Sequence, residues 1–145
     1  MSELSTAKQC AKKMWSGDKA SKALGMKIEI REVGSATASM EVRDDMVNGF
    51  DICHGGLLFT LADTAFAFAC NAYNRRSFAA SGNIEFFRPA KLGDKLRAFA
   101  TEDHRGRNSG YYTVKVHNGD NKLVALFRGR SFSRDEPLLP EENDT

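Results

Sequence analysis

Most of this chain alternates apolar and polar residues, and one stretch does not. Met26 to Val33 alternates Met26, Ile28 and Ile30 with charged neighbours, and Ala36 to Val42 repeats the pattern with Ala36, Ala38, Met40 and Val42. A two-residue period predicts half-buried strands, and Gly34-Ser35 between the two predicts a tight hairpin. Phe78 to Phe87, Lys95 to Asp103, Tyr111 to Asn118 and Lys122 to Arg134 read as four more strands, punctuated by Pro89, Gly93-Asp94, Gly106 to Gly110 and Gly119-Asp120. Ala7, Cys10, Ala11, Met14 and Trp15 fall at helical spacing behind Ser5 or Thr6 as cap, with Gly17 as stop. The exception is CHGGLLFTLADTAFAFAC, Cys53 to Cys70. It is rich in alanine, lacks Val and Ile, and runs unbroken for about sixteen residues after Gly56, which predicts one long buried helix.

The predicted order is a short helix, two strands, the long helix and four strands, with no repeat and no βαβ alternation. An α+β fold follows, in which one antiparallel six-stranded sheet wraps a central apolar helix. Residues 1–134 form a single domain on this reading, and the acidic, proline-containing residues 135–145 (DEPLLPEENDT) form a disordered tail.

On a helical wheel Gly56, Thr60, Asp63, Thr64, Ala67 and Asn71 share one narrow stripe, while Leu57, Leu58, Phe59, Leu61, Phe66 and Phe68 cover the remainder. Asp63 is the one formal charge between Asp51 and Arg75. A solvated face of four turns usually carries Lys, Glu or Arg, so small groups plus one acid predict a face against a cleft or another subunit. His54-Gly55-Gly56 stands where the first turn begins, and there N–H groups have no intrahelical acceptors and the helix dipole adds partial positive charge. Glycine removes the Cβ that would keep a carbonyl oxygen away. This combination can stabilise an oxyanion, an effect worth about 3–4 kcal/mol in acyl transfer. Gly55 and Asp63 are eight residues apart, about 12 Å along a helix. Reacting groups must approach within about 3–3.5 Å. One helix cannot bring both to a single carbonyl, so if both act, the acid comes from a second copy of the chain.

Composition narrows the partners. Twenty-one basic and nineteen acidic residues leave a net charge of +2 over 145 residues, which disfavours a nucleic-acid-binding role. Cys10, Cys53 and Cys70 form no C-x-x-C pair, so neither a zinc site nor a disulfide framework is implied. His104 and His117 are far from any ligand-type cluster and are placed at the surface. MSELSTAKQCAKKMW resembles no signal peptide, and Leu57 to Cys70 is too short to span a bilayer, giving the expectation of a cytoplasmic protein with no membrane partner.

NGFDICHGGLLFTLADTAFAFACN, Asn48 to Asn71, resembles the active-site segment of hotdog-fold acyl-CoA thioesterases, and within them the phenylacetate-degradation branch. The likeness extends to ALGMKIEI, IEFFRPAKLGDKLRA and VALFRGRS, leaving out the acidic tail. The resemblance implies a hotdog fold that dimerises to continue its sheet and pairs into homotetramers. It further implies that Asn48 positions the thioester or the attacking water and that the Gly55 amide polarises the carbonyl. Asp63 of the partner subunit is then general base or nucleophile, and His54 organises the loop. Gly56 adjoins the bound substrate, and Ser81 is the nearest strand hydroxyl. Phe50-Asp51 departs from the polar pair of close relatives, which bears on the acyl pocket.

On that resemblance the substrate is an acyl-CoA, phenylacetyl-CoA or a hydroxylated derivative first, cleaved without metal or cofactor beyond the coenzyme A of the substrate itself. Arg88, Arg107 and Arg128, with Lys91, Arg105 and Arg130, are candidates for its phosphates. Two alternatives stand beside hydrolysis: a hydratase or dehydratase that pairs His54 with Asp63, and an acyl-CoA-binding sensor without turnover.

Overall fold

In the computed structural model, which describes residues 1–141, ten elements follow in order: α1 (Glu3–Gly17), α2 (Lys19–Ala23), β1 (Lys27–Glu29), β2 (Ser35–Glu41), a 3₁₀ turn (Asp44–Met46), α3 (Gly55–Cys70), β3 (Ser77–Phe86), β4 (Lys95–Arg105), β5 (Ser109–His117) and β6 (Leu123–Ser133). The strands form one six-stranded sheet in the order β1-β2-β4-β5-β6-β3, and the paired neighbours run antiparallel. The α+β arrangement read from the sequence holds, and α3 packs against β2 through β6 on one face of the sheet.

Alternation decides which side chains meet the helix. Ala98 and Ala100 of β4, Val114 and Val116 of β5 and Phe127 of β6 point inward and are buried. Leu58, Leu61, Ala62, Ala65, Phe66 and Ala69 of α3 complete that core. The Phe66 ring lies 5.4 Å from Tyr112 and 5.8 Å from Phe127. Burying a phenylalanine in this way is worth about 1.5–3 kcal/mol. Helix and sheet approach closely here because Gly129 has no side chain; a Cβ would meet Phe66 at 2.8 Å.

The two edges of the sheet differ. β1 is three residues long and carries Lys27 and Glu29 at its ends. β3 is ten residues long, pairs with β6 alone, and only Ser77 along it is buried.

Several local expectations are corrected. The first helix starts earlier, because Ser2 rather than Ser5 or Thr6 is the cap, its Oγ accepting from the Ser5 amide at 3.0 Å. Gly17 does end it, but Asp18 at once caps the short α2, an element the sequence pattern did not predict. No two-residue hairpin forms at Gly34-Ser35; β1 ends at Glu29, and Gly34, at φ +81°, closes a longer connection. The start of the tail is ordered rather than disordered. Asn74 Oδ1 accepts from the Leu138 and Leu139 amides, both at 2.9 Å, and Arg75 pairs with Asp135 at 2.8 Å. The expectation for residues 142–145 lies outside the described residues. His104 is exposed as expected, whereas His117 is half-buried and its Nδ1 has no partner among the described residues.

Candidate active site

The approach to α3 is a folded loop whose backbone bonds are met locally. Asn48 donates its amide to Ile52 O at 2.8 Å, and its side-chain Oδ1 accepts from the Phe50 and Ile52 amides at 2.9 and 3.4 Å. Asp51 takes a left-handed conformation, φ 61°, to close this turn, leaving Phe50 86% exposed. Cys53 then donates to Ala90 O at 2.7 Å and His54 to Met46 O at 2.8 Å, fixing where the helix begins. With Oδ1 engaged twice, Asn48 is left with its NH₂ as the group able to reach outward.

His54 is the N-cap: its Nδ1 accepts from the Gly56 amide at 2.9 Å. An accepting Nδ1 carries no proton, so in neutral His54 the proton sits on Nε2. Its carbonyl accepts from Leu57 at 2.9 Å and Leu58 at 3.3 Å. Among the described residues the Gly55 N–H has no acceptor. The two glycines therefore differ. Gly56 spends its amide on His54, and a Cβ there would stand 3.0 Å from His54 Nδ1, whereas Gly55 offers a free donor at the positive end of the helix. Gly56, expected to adjoin the substrate, serves here to admit the histidine cap.

Gly55 and Asp63 lie on the same continuous helix, so their separation of about 12 Å stands. Asp63 is half-buried and makes no hydrogen bond or ion pair among the described residues. Burial pushes its carboxyl above the ordinary value. The predicted polar stripe is narrower than the wheel suggested. Thr64 and Asn71 are buried, Asn71 bridging the Ser77 amide and carbonyl, and Gly56, Thr60, Asp63 and Ala67 remain accessible. The Thr60 and Thr64 hydroxyls donate back to the Gly56 and Thr60 carbonyls at 2.8 and 2.7 Å, which leaves Asp63 as the polar side chain of this face with no hydrogen bond among the described residues.

The other candidates divide. Arg88, two residues beyond β3, and Lys91, which bridges to Ile52, flank Ala90, whose carbonyl accepts from Cys53, so both stand beside the loop that leads into α3; Arg88 Nε donates to Leu123 O at 3.1 Å. Arg128 and Arg130 alternate with inward-facing Gly129 and so project from the sheet face away from α3. Ser81 pairs with Arg130 after a bulge in β3, and it lines an outer-face cleft of about 670 Å³ with Arg128, Tyr111 and Thr113. Ser81 and Arg128 are therefore not brought to Gly55 within one protomer. Arg107 lies in the β4–β5 turn, its carbonyl accepting from Arg75 beyond the far end of α3. Arg105 covers the Tyr73 ring at 3.6 Å.

Burial raises all three thiols, Cys70 to about 12, so they stay protonated and unsuited to attack. Among the described residues no three His, Cys, Asp or Glu side chains cluster as metal ligands, and no helix is long and apolar enough to cross a membrane. One neighbour of the helix tip escaped the sequence reading. Phe86, at the end of β3, holds its ring against Gly55, 3.2 Å from where a Cβ would be. The signal was the doublet Phe86-Phe87 closing a strand just before Arg88-Pro89.

An open amide at a helix tip, a solitary acid two turns on and a sheet wrapped around both can be compared with known proteins. Residues 50–125 match the thioesterase superfamily. The chain belongs to that family. It is 45% identical over 123 residues to the acyl-coenzyme A thioesterase PaaI of Escherichia coli K12, covering 85% of this chain and 88% of that protein. The structure of the E. coli PaaI protein from the phenylacetic acid degradation operon superimposes with a TM-score of 0.91 at 42% identity, covering 94% of this chain and 99% of that one. A Streptococcus mutans UA159 protein solved with acetyl CoA bound gives a TM-score of 0.74 at 25% identity, covering 77% and 90%. The fold is thus that of the hotdog thioesterases, and the enzyme class is acyl-CoA thioesterase, in the branch of the phenylacetate-degradation proteins.

Proposed function

We propose that this thioesterase hydrolyses aryl and arylacetyl-CoA thioesters, phenylacetyl-CoA or its ring-hydroxylated derivatives foremost, to the free acid and coenzyme A. The reaction runs at sites shared by two copies of the chain, needs no metal or added cofactor, and takes place in the cytoplasm. The observation that carries this reading is the division of labour on α3: a free Gly55 N–H at its tip and an unpartnered Asp63 about 12 Å further along. The long open edge of β3 is where a second copy would add, and a homotetramer of two such pairs belongs to the same reading by family resemblance.

In this mechanism the thioester carbonyl oxygen accepts from Gly55 N–H, and the Asn48 NH₂ positions the thioester or the incoming water. Negative charge developing on that oxygen is met by a preorganised donor at a helix terminus. The partner's Asp63, as the carboxylate, either takes the proton from water as its oxygen attacks or attacks the carbonyl itself to give an anhydride that water then opens. The tetrahedral intermediate collapses by expelling the coenzyme A thiolate, a good leaving group that needs little acid assistance. Arg88 and Lys91, beside the entry loop, are the basic residues best placed for the phosphates of coenzyme A. A hydratase reading is disfavoured because His54 spends Nδ1 on the helix cap.

Mixing two inactive proteins tests the shared site. In hybrids of Gly55→Pro and Asp63→Asn subunits, one of the two sites combines an intact Gly55 with an intact partner Asp63. Random pairing of equal amounts then restores about a quarter of wild-type coenzyme A release. No recovery, with hybrid formation confirmed by mass, would place both groups in one subunit and end this reading.

A further inference from the structure

We infer that Phe86 sets the choice of acyl group, favouring thioesters that carry an aromatic ring close to the carbonyl. The inference rests on the thioesterase reading above and adds a residue that reading does not use. The Phe86 ring approaches Gly55 through three of its carbons, at 3.2, 3.6 and 3.8 Å from the position of a Cβ. Cβ and the amide nitrogen hang from the same Cα, so the nearest ring atom lies at most about 6 Å from that nitrogen. A carbonyl oxygen bound there sits about 2.9 Å from nitrogen, and the ring of an arylacetyl group begins two bonds beyond the carbonyl carbon. The acyl ring and Phe86 are thus within reach of contact whenever the thioester is polarised.

The surroundings favour a ring over a flexible chain. Phe86 remains 52% exposed, so its outer surface lacks a partner within the protomer. Ile84, the next inward residue of β3, is half-buried and continues the wall. Phe59, one helical turn beyond Gly55, stands edge-on to Phe127 with ring centroids 5.2 Å apart. Gly82 leaves open the space in which a side chain would press on Phe59, since a Cβ there would lie 3.3 Å from that ring. Phe86, Ile84 and Phe59 together form an apolar wall that starts at the oxyanion donor. A flat acyl ring gains offset or edge-to-face contact with Phe86 that an alkyl chain of equal area does not.

The test is kcat/KM for phenylacetyl-CoA and hexanoyl-CoA with wild type, Phe86→Leu, Phe86→Met and Phe86→Tyr. The two non-aromatic variants should lower the phenylacetyl-to-hexanoyl ratio about 3- to 10-fold, and Phe86→Tyr should keep it. The ratio discriminates because a variant that merely loosened the fold would lower both substrates together. An unchanged ratio in folded Phe86→Leu or Phe86→Met, including an equal fall on both thioesters, overturns the role of Phe86 and leaves the hydrolase reading standing. Failure of the wild type to release coenzyme A from either substrate would remove both.

Discussion

Replacing Gly55 by proline removes a single proton from the site and no hydrogen bond from the fold. Gly55 is the first helical residue, where proline is favoured because its φ suits the helix and the missing N–H has no structural duty. The preceding His54 has φ −57° and ψ 130°, the extended conformation that a following proline requires. The Cβ of the new residue would meet Phe86 at 3.2 Å, and that half-exposed side chain can yield by a few tenths of an ångström. Reduced freedom of the unfolded chain stabilises by about 0.4–1 kcal/mol and offsets this contact. Tm should therefore stay within about 4 °C of wild type. Catalysis is another matter, because losing one oxyanion donor costs about 2.7–4 kcal/mol, a 10²- to 10³-fold fall in kcat. Gly55→Ala separates sterics from chemistry: it adds the same Cβ but keeps the N–H, so its fall in kcat reports obstruction alone and should be smaller than that of Gly55→Pro. The assay is thiol release from phenylacetyl-CoA, with Tm read by circular dichroism. A folded Gly55→Pro protein with kcat within about 5-fold of wild type would refute the assignment of the oxyanion donor.

Asp63→Asn should abolish turnover yet raise Tm at neutral pH. Burial lifts the folded carboxyl above 3.8, so the native state binds the proton more tightly than the unfolded chain, and ionised Asp63 costs stability that is recovered as pH falls through the raised value. For the same reason the acid limb of kcat in the wild type should fall above pH 3.8, and a limb at or below the ordinary value would contradict the role of Asp63 as the ionised base. His54→Asn, which can cap Gly56 through its own oxygen, should keep most of the activity, while His54→Ala loses the cap, about 1 kcal/mol of stability, and much of kcat; the comparison is read from kcat and Tm together.

Six strands and the central helix were legible because period-two alternation and an alanine-rich apolar run are strong local signals. What escaped depended on contacts that local pattern does not encode. Ser2 and Ser5 are equally good caps by composition, and only the completed helix shows which serine oxygen meets an open amide. The order of residues 135–139 comes from Asn74 and Arg75, about sixty positions away. At the site, the glycine pair, the acid and the distance between them could be read directly, since they share one helix. The split between Gly55 and Gly56 could not, because it turns on which amide His54 Nδ1 reaches. The facing of Arg128 and Ser81 was hidden for a related reason: arginine and serine look alike on either face of a strand, and the bulge between Ala79 and Ser81 resets the facing.

The unequal margins of the sheet govern how far the chain can associate with itself. A ten-residue border with free amides and carbonyls invites a neighbour, whereas three residues that begin with lysine and end with glutamate offer little to hold. Joining two molecules through the long border about a two-fold axis consumes that border in both and leaves the short, charged ones outside. Edge-to-edge growth of the sheet would then end at a closed pair instead of running on as a fibre, so a protein with an inviting ribbon of backbone on one flank carries its own terminator on the other.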